Sequence, residues 1–182
     1  MILTSCSAWS TPAASGSSGI LRLIQTIPLL NVAGRIDHLS VDVKAQRLFV
    51  AALGNNTVEV IDLKAGKVIH SISNLNEPQS ALFIPSLNII FVTNGSNGIC
   101  QIFDGTSFDE ISRVELSGDA DNIRYDSNSN SVIVGYGDGG LSFINVETGK
   151  EEGNVELAGH PESFQLEPSG TIGSIRAVSR LA

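Results

Sequence analysis

Two of the chain's three histidines and five of its nineteen acids sit in four short polar stretches. These are Arg35-Ile36-Asp37-His38, Glu77-Pro78-Gln79-Ser80, Asp119-Ala120-Asp121-Asn122 and His160-Pro161-Glu162-Ser163. Their spacing is even: Asp37, Gln79, Asp121 and Glu162 follow one another at steps of 42, 42 and 41 residues. Imidazole and carboxylate groups gathered at one point are the donors of a divalent-metal site, or the partners in acid–base work. The residues that would form such a ligand site are Asp37, His38, Gln79, Asp121, Asn122, His160 and Glu162. Within that set His38, Asp121 and His160 are the candidate metal ligands. The plainer reading is a wet loop lining in which Pro78 and Pro161 only set the turns. The choice depends on whether the fold brings the four stretches together.

Other suggestive spacings have structural explanations. Gly135-Tyr136-Gly137-Asp138-Gly139-Gly140 satisfies the G-x-G-x-x-G pattern, but a dinucleotide site needs a helix after the glycines. Leu141 to Asn145 reads as a strand instead, so a glycine-rich hairpin is expected. Asp119-Ala120-Asp121-Asn122 opens like a calcium loop, yet Ile123 and Arg124 stand where that loop needs Asp or Asn and then Gly. No G-x-S-x-G elbow occurs, and no Cys and His are spaced as a nucleophile and its base. Cys6 and Cys100 have neither metal nor redox spacing, and Cys100 falls on an apolar strand position where a small buried hydrophobe is expected. His70 lies among outer-strand residues and reads as a surface side chain.

Charge narrows the range of partners. Lys and Arg number 11 against 19 Asp and Glu, a net charge of -8. Such a chain is repelled by phosphate backbones, and its basic residues are scattered rather than patched, so no nucleic-acid partner is expected. No stretch approaches the roughly 20 apolar residues of a membrane-spanning helix.

The elements that must position the polar stretches emerge from an internal repeat. Arg47-Leu48-Phe49-Val50, Ile89-Ile90-Phe91-Val92 and Ser131-Val132-Ile133-Val134 recur at a step of 42. Val60-Ile61-Asp62 and Ile102-Phe103-Asp104 keep that step, and Phe143-Ile144-Asn145 follows at 41. A fourth copy opens with Phe164-Gln165-Leu166-Glu167. Each copy reads as four short strands joined by turns such as Lys44-Ala45-Gln46, Gly54-Asn55-Asn56 and Lys64-Ala65-Gly66. The third strands alternate with period two, as in Val58 and Val60, Cys100 and Ile102, and Leu141 and Phe143, which predicts one buried face. Four-stranded units of about 40–45 residues are blades of a β-propeller, stable only when packed against their copies. The fold class is therefore all-β, with about three and a half blades and an incomplete ring. In such a ring the first strand of each blade is innermost, so the four polar stretches converge on one mouth of the central channel.

Phe91-Val92-Thr93-Asn94 and the run Val60-Ile61-Asp62-Leu63 resemble the repeat of the YVTN β-propeller family, a bacterial group within the WD40/YVTN-like superfamily. Copies one and three depart from it, with Phe49-Val50-Ala51-Ala52 and Ile133-Val134-Gly135-Tyr136. The resemblance covers residues 32–168, in blades of about 32–76, 77–118 and 119–159 and the start of a fourth at 160–168. It implies a non-catalytic binding or scaffold module, for a protein or small-molecule ligand at the mouth. It also admits two alternatives: a metal-dependent enzyme, lactonase-like or dehydrogenase-related, and a surface-layer or adhesion repeat. Residues 1–31 read as a leader or linker. There Leu3-Thr4-Ser5-Cys6 resembles a bacterial lipobox, followed by a Ser/Ala/Gly-rich tether, which implies a lipid anchor at Cys6 and a periplasmic, lipoprotein or secreted location. No basic or apolar segment precedes it, so either the true start lies upstream or the match is chance. Past Pro168 the repeat pattern is lost, and 169–182 is expected to be an aberrant tail of a fragment or of a chain that oligomerises.

Overall fold

The computed structural model describes residues 21–178. Cys6 and the lipobox-like stretch lie outside the described residues. Fourteen strands run in chain order: β1 (Leu39–Asp42), β2 (Arg47–Ala52), β3 (Thr57–Asp62), β4 (Lys67–Ile72), β5 (Pro78–Ile84), β6 (Ile89–Asn94), β7 (Ile99–Asp104), β8 (Glu110–Glu115), β9 (Ile123–Asp126), β10 (Ser131–Tyr136), β11 (Gly140–Asn145), β12 (Lys150–Glu156), β13 (His160–Leu166) and β14 (Ile172–Val178). They form three four-stranded antiparallel meanders and one two-stranded sheet, β13 with β14. The arc is all-β, three and a half blades long, and not closed.

The repeat is visible in the backbone itself. The residue before each second strand has positive φ, at Gln46, Asn88 and Asn130, a conformation that Asn adopts at low cost. Asp62, Asp104 and Asn145 each accept main-chain N–H groups two or three residues on, closing the turn into the fourth strand. At the end of those turns stand Gly66, Phe108 and Gly149, all with φ near +63. A bulge follows at equivalent points of the third strands, after Val60, Ile102 and Phe143. Bulges add local twist, which bends each outer strand away from the plane of its blade.

Packing occurs between blades. Phe49, Val58, Val60, Ile72, Ala81, Phe83, Ile90 and Val92 fill the first interface. Phe91, Cys100, Ile102, Ile123, Val132, Val134 and Ile144 fill the second. Among the described residues Ile133, Leu141 and Phe164 form the buried centre of the third. β6 is buried along its whole length because its odd and even residues enter different interfaces.

Two expectations are corrected. The third strands do not have one buried face: on the opposite face Glu59, Gln101 and Ser142 occupy equivalent positions, and all three are buried. They tolerate burial because each is satisfied by polar neighbours, Glu59 by Thr57 and Ser71, Gln101 by Asn94 and Glu110, and Ser142 by Glu151. The stretch past Pro168 also keeps the pattern: β14 pairs with β13, with Phe164 opposite Ile175, through two register shifts. Thr171 and Glu167 close the hairpin, Glu167 N–H donating to the Thr171 carbonyl at 2.8 Å. Ile175 lies on the same face as its partner Phe164, yet it is exposed.

Candidate functional site

First strands of successive blades touch along the inner side of the arc, β1 against β5, β5 against β9 and β9 against β13. The loops feeding them are tied together across blades. His38 N–H donates to the Gln79 carbonyl at 3.0 Å, Thr93 Oγ1 to the Asp121 carbonyl at 2.7 Å, and Asn122 Nδ2 to the Glu162 carbonyl. Within blades, Asp37, His38 and Ala51 and likewise Asp121, Asn122 and Gly135 exchange main-chain bonds of 2.8–3.0 Å. The expected mouth thus rests on fixed strand ends. A Cβ added at Gly135 would lie 2.8 Å from Pro161 Cγ, so glycine is what lets β13 come this close to β10.

The side chains divide into two linked groups. His38 Nδ1 faces Asp37 Oδ1 at 2.9 Å and the Gln79 carbonyl at 3.3 Å. Both are acceptors, so this nitrogen carries a proton. The Arg35 guanidinium pairs with the other Asp37 oxygen. In the second group His160, buried, donates from Nδ1 to the Gly137 carbonyl at 2.6 Å and turns Nε2 toward Asp121 Oδ2 at 3.5 Å. Asp119 joins them, 3.8 Å from His160 Nδ1 and 3.4 Å from Gln79 Nε2. Burial pushes the Asp121 carboxyl above its ordinary value, and Asp37 adds to the rise. His38 and His160 pull against it. Arg124 lies beneath, its guanidinium over the Phe164 ring at 5.5 Å. Burial lowers its pKa while Asp121 holds it up.

The arrangement places six of the seven expected side chains at this mouth. The exception is Glu162, whose carboxylate is exposed and whose part is its main-chain carbonyl. Among the described residues no three His, Cys, Asp or Glu side chains are placed to hold one ion, so His38, Asp121 and His160 do not make up a metal set. The donor arrangement does not fit a divalent cation. The Asp121–His160 pair can pass or share a proton, since Nε2 is the basic nitrogen of the neutral ring. Among the described residues no hydroxyl or thiol nucleophile is hydrogen-bonded to either side chain. Cys100 is far from this role: it is fully buried and its thiol is pushed up to about 12 by burial.

Sequence reasoning missed several participants. Asp119 lies two residues before Asp121 in the same loop, and its repeat equivalents Glu77 and Arg35 are also charged, which was the available signal. Gly137 belongs to the glycine-rich hairpin, which forms as expected and leads into β11 rather than a helix. Its carbonyl orients His160. Thr93 and Asn94, the Thr-Asn of the signature-like run, are both fully buried. Thr93 bridges the Ser80 N–H and the Asp121 carbonyl, and Asn94 accepts from Asn76 N–H and donates to Ile99 and Gln101. Away from the mouth, His70 is exposed as expected, but its ring stacks on Phe108 with centroids 4.4 Å apart. The pair borders a cleft of about 520 Å³ between the first two blades, with Gln101, Glu110 and Arg113 on its other side.

Solved structures match this arc. Kuenenia stuttgartiensis hydrazine synthase superposes with a TM-score of 0.70 at 15% identity, over 84% of this chain and 44% of that one. The WD40 β-propeller domain of Doa1 gives 0.67 at 14%, over 75% and 46%. A chain of the mitotic checkpoint complex gives 0.70 at 15%, over 78% and 46%. The fold is a β-propeller. At these identities the likeness shows the fold alone, and the chain spans less than half the length of these neighbours. No protein-family model and no curated protein matches the sequence. Among the described residues no helix of the propeller is long and apolar enough to cross a membrane.

Proposed function

We propose that this chain is a non-catalytic binding and scaffold module of the YVTN type, part of a larger propeller, which offers its mouth to a protein or small-molecule ligand outside the cytoplasm. The observation that carries the reading is the mouth itself: His38, Gln79, Asp121, Asn122 and His160 converge from four blades onto strand ends locked by main-chain bonds. Rigid placement of polar groups on a β frame serves recognition, because little ordering entropy is lost on binding. The lipobox-like Leu3-Thr4-Ser5-Cys6 supports a lipid anchor and an extracytoplasmic location. Neighbours of about twice the length support the larger ring.

One observation favours an enzymatic reading, the Asp121–His160 contact at 3.5 Å, which is fit for proton transfer. The two readings separate by titrating the full chain with Zn²⁺, Mn²⁺ and Ca²⁺ and assaying lactone hydrolysis with each. The binding reading expects no stoichiometric metal and no turnover. Metal-dependent turnover that His38→Ala and His160→Ala both abolish would replace it with the enzymatic one. Labelling of intact cells with radioactive palmitate tests the anchor: label lost in Cys6→Ser supports it, and absence of label removes it.

A further inference from the structure

Among the described residues three buried side-chain oxygens have no hydrogen-bond partner, the Ser80 hydroxyl and a pair on successive residues of the mouth. Asp121 Oδ1 and Asn122 Oδ1 are buried without a hydrogen-bond partner, on residues only 8% and 1% exposed. The Asn122 amide cannot be turned to relieve this, because its nitrogen is committed to the Glu162 carbonyl. An unmet buried acceptor is costly, and more so when charged, so the pair is poised for something that donates. Both are acceptors and adjacent in the chain, and the surrounding field is acidic. Asp37 and Asp119 flank them, Arg35 is engaged by Asp37, and Arg124 rests on Phe164. The two imidazoles direct their Nδ1 protons to main-chain carbonyls and Asp37, away from these oxygens. Ser80 Oγ, the other unpartnered atom, is a neutral hydroxyl that brings no positive charge to an anion, and among the described residues a metal ion finds no set of three ligands.

We infer that the mouth accepts a protonated primary amine, whose N–H groups donate to Asp121 Oδ1 and Asn122 Oδ1. This rests on the binding reading above and names its ligand chemistry. The same group is borne by a small amine and by a lysine side chain. An ammonium supplies three donors and a charge in one compact group, which suits two acceptors on successive residues beside a carboxylate. A quaternary ammonium carries the same charge without a donor, so it separates hydrogen bonding from simple attraction.

The test is an amide-resolved NMR titration of the full chain with n-butylammonium, tetramethylammonium and butyrate. The expected result is saturable shifts at residues 37–38, 119–122 and 160 with n-butylammonium alone, and at least a tenfold weaker affinity in Asp121→Asn. Glu115→Gln, on the exposed eighth strand, leaves the affinity unchanged. An acetylated lysine amide that matches n-butylammonium points to a lysine-bearing partner, and one that fails to bind points to free amines. Equal response to tetramethylammonium reduces the effect to a diffuse acidic field and overturns the inference, as does unchanged affinity in Asp121→Asn. The comparison of the three probes on the unmodified chain stands even if that variant does not fold. Shifts of the same loops by butyrate but not butylammonium sink the amine assignment and keep the binding reading. If no probe of any class moves those loops, both fall.

Discussion

The second blade and the terminal half-blade are built from the same repeat, yet they are held very differently. Along β6 every side chain is buried, with Ile90 and Val92 facing the first blade and Phe91 facing the third. β13 has only Phe164 as a buried large hydrophobe, and β14 leaves Ile175 exposed. The second blade also has Thr93 and Asn94 knitting its inner end to the neighbouring loops, whereas the fourth reaches its neighbour through the Glu162 carbonyl, bound by Asn122, and through His160, bound to the Gly137 carbonyl. The strand pattern is the same, so the contrast comes from neighbours. A blade is secure in proportion to how many of its faces are covered. The mouth spans both regimes: His38 and Gln79 stand on the secure side, and His160 stands on the exposed one.

The contrast is broken or sharpened most strongly by matched truncations. Phe91→Ala is expected to cost about 3–5 kcal/mol, measured as a shift in urea unfolding midpoint, because it empties a fully enclosed aromatic site. Phe164→Ala is expected to cost less than half of that, since the half-blade can open without the rest. Equal costs would show that the terminal hairpin is fully coupled to the second blade. Next in size is Thr93→Val, which keeps the shape but strands the Ser80 N–H and the Asp121 carbonyl, at an expected 1–3 kcal/mol or so in the same assay.

A smaller effect concerns Phe108, which holds φ +63 where the sister blades have Gly66 and Gly149. Phe108→Ala loses the stack on His70 and keeps the backbone strain. Phe108→Gly loses the stack and relieves the strain, so it is expected to be the more stable of the two by about 1 kcal/mol. The reverse order would mean the turn is not strained. The smallest effect is on pH dependence. Because burial raises the Asp121 carboxyl, the folded chain holds its proton more tightly than the unfolded chain. Stability from this group is present below the ordinary aspartate value of 3.8 and declines as pH rises through the raised one. Asp121→Asn is therefore expected to be slightly more stable than the parent at pH about 7 and to lose that advantage below pH about 4. Thermal melts at the two values check it, and an advantage confined to acid would contradict it.

The blades were legible because apolar residues at a fixed step of 41 or 42 leave few other solutions, and Leu141 to Asn145, read as a strand, forms β11 with one residue added at its start. The polar burial at Glu59, Gln101 and Ser142 was not, since single residues do not reveal that a partner will meet them. The last strand was hidden for the opposite reason: with one face uncovered, Ile172 to Val178 had no need of strong alternation. At the mouth, convergence followed from topology. Which atoms touch did not, and Glu162 contributes its carbonyl where its carboxylate was expected.

Residue-resolved hydrogen exchange under native conditions tests most directly whether stacking between blades holds this molecule together. The expected result is a gradient, with amides of β6 and β7 exchanging slowest, those of β2 and β10 faster, and those of β13 and β14 fastest. Uniform protection across all fourteen strands, or slowest exchange in the terminal hairpin, would contradict the account.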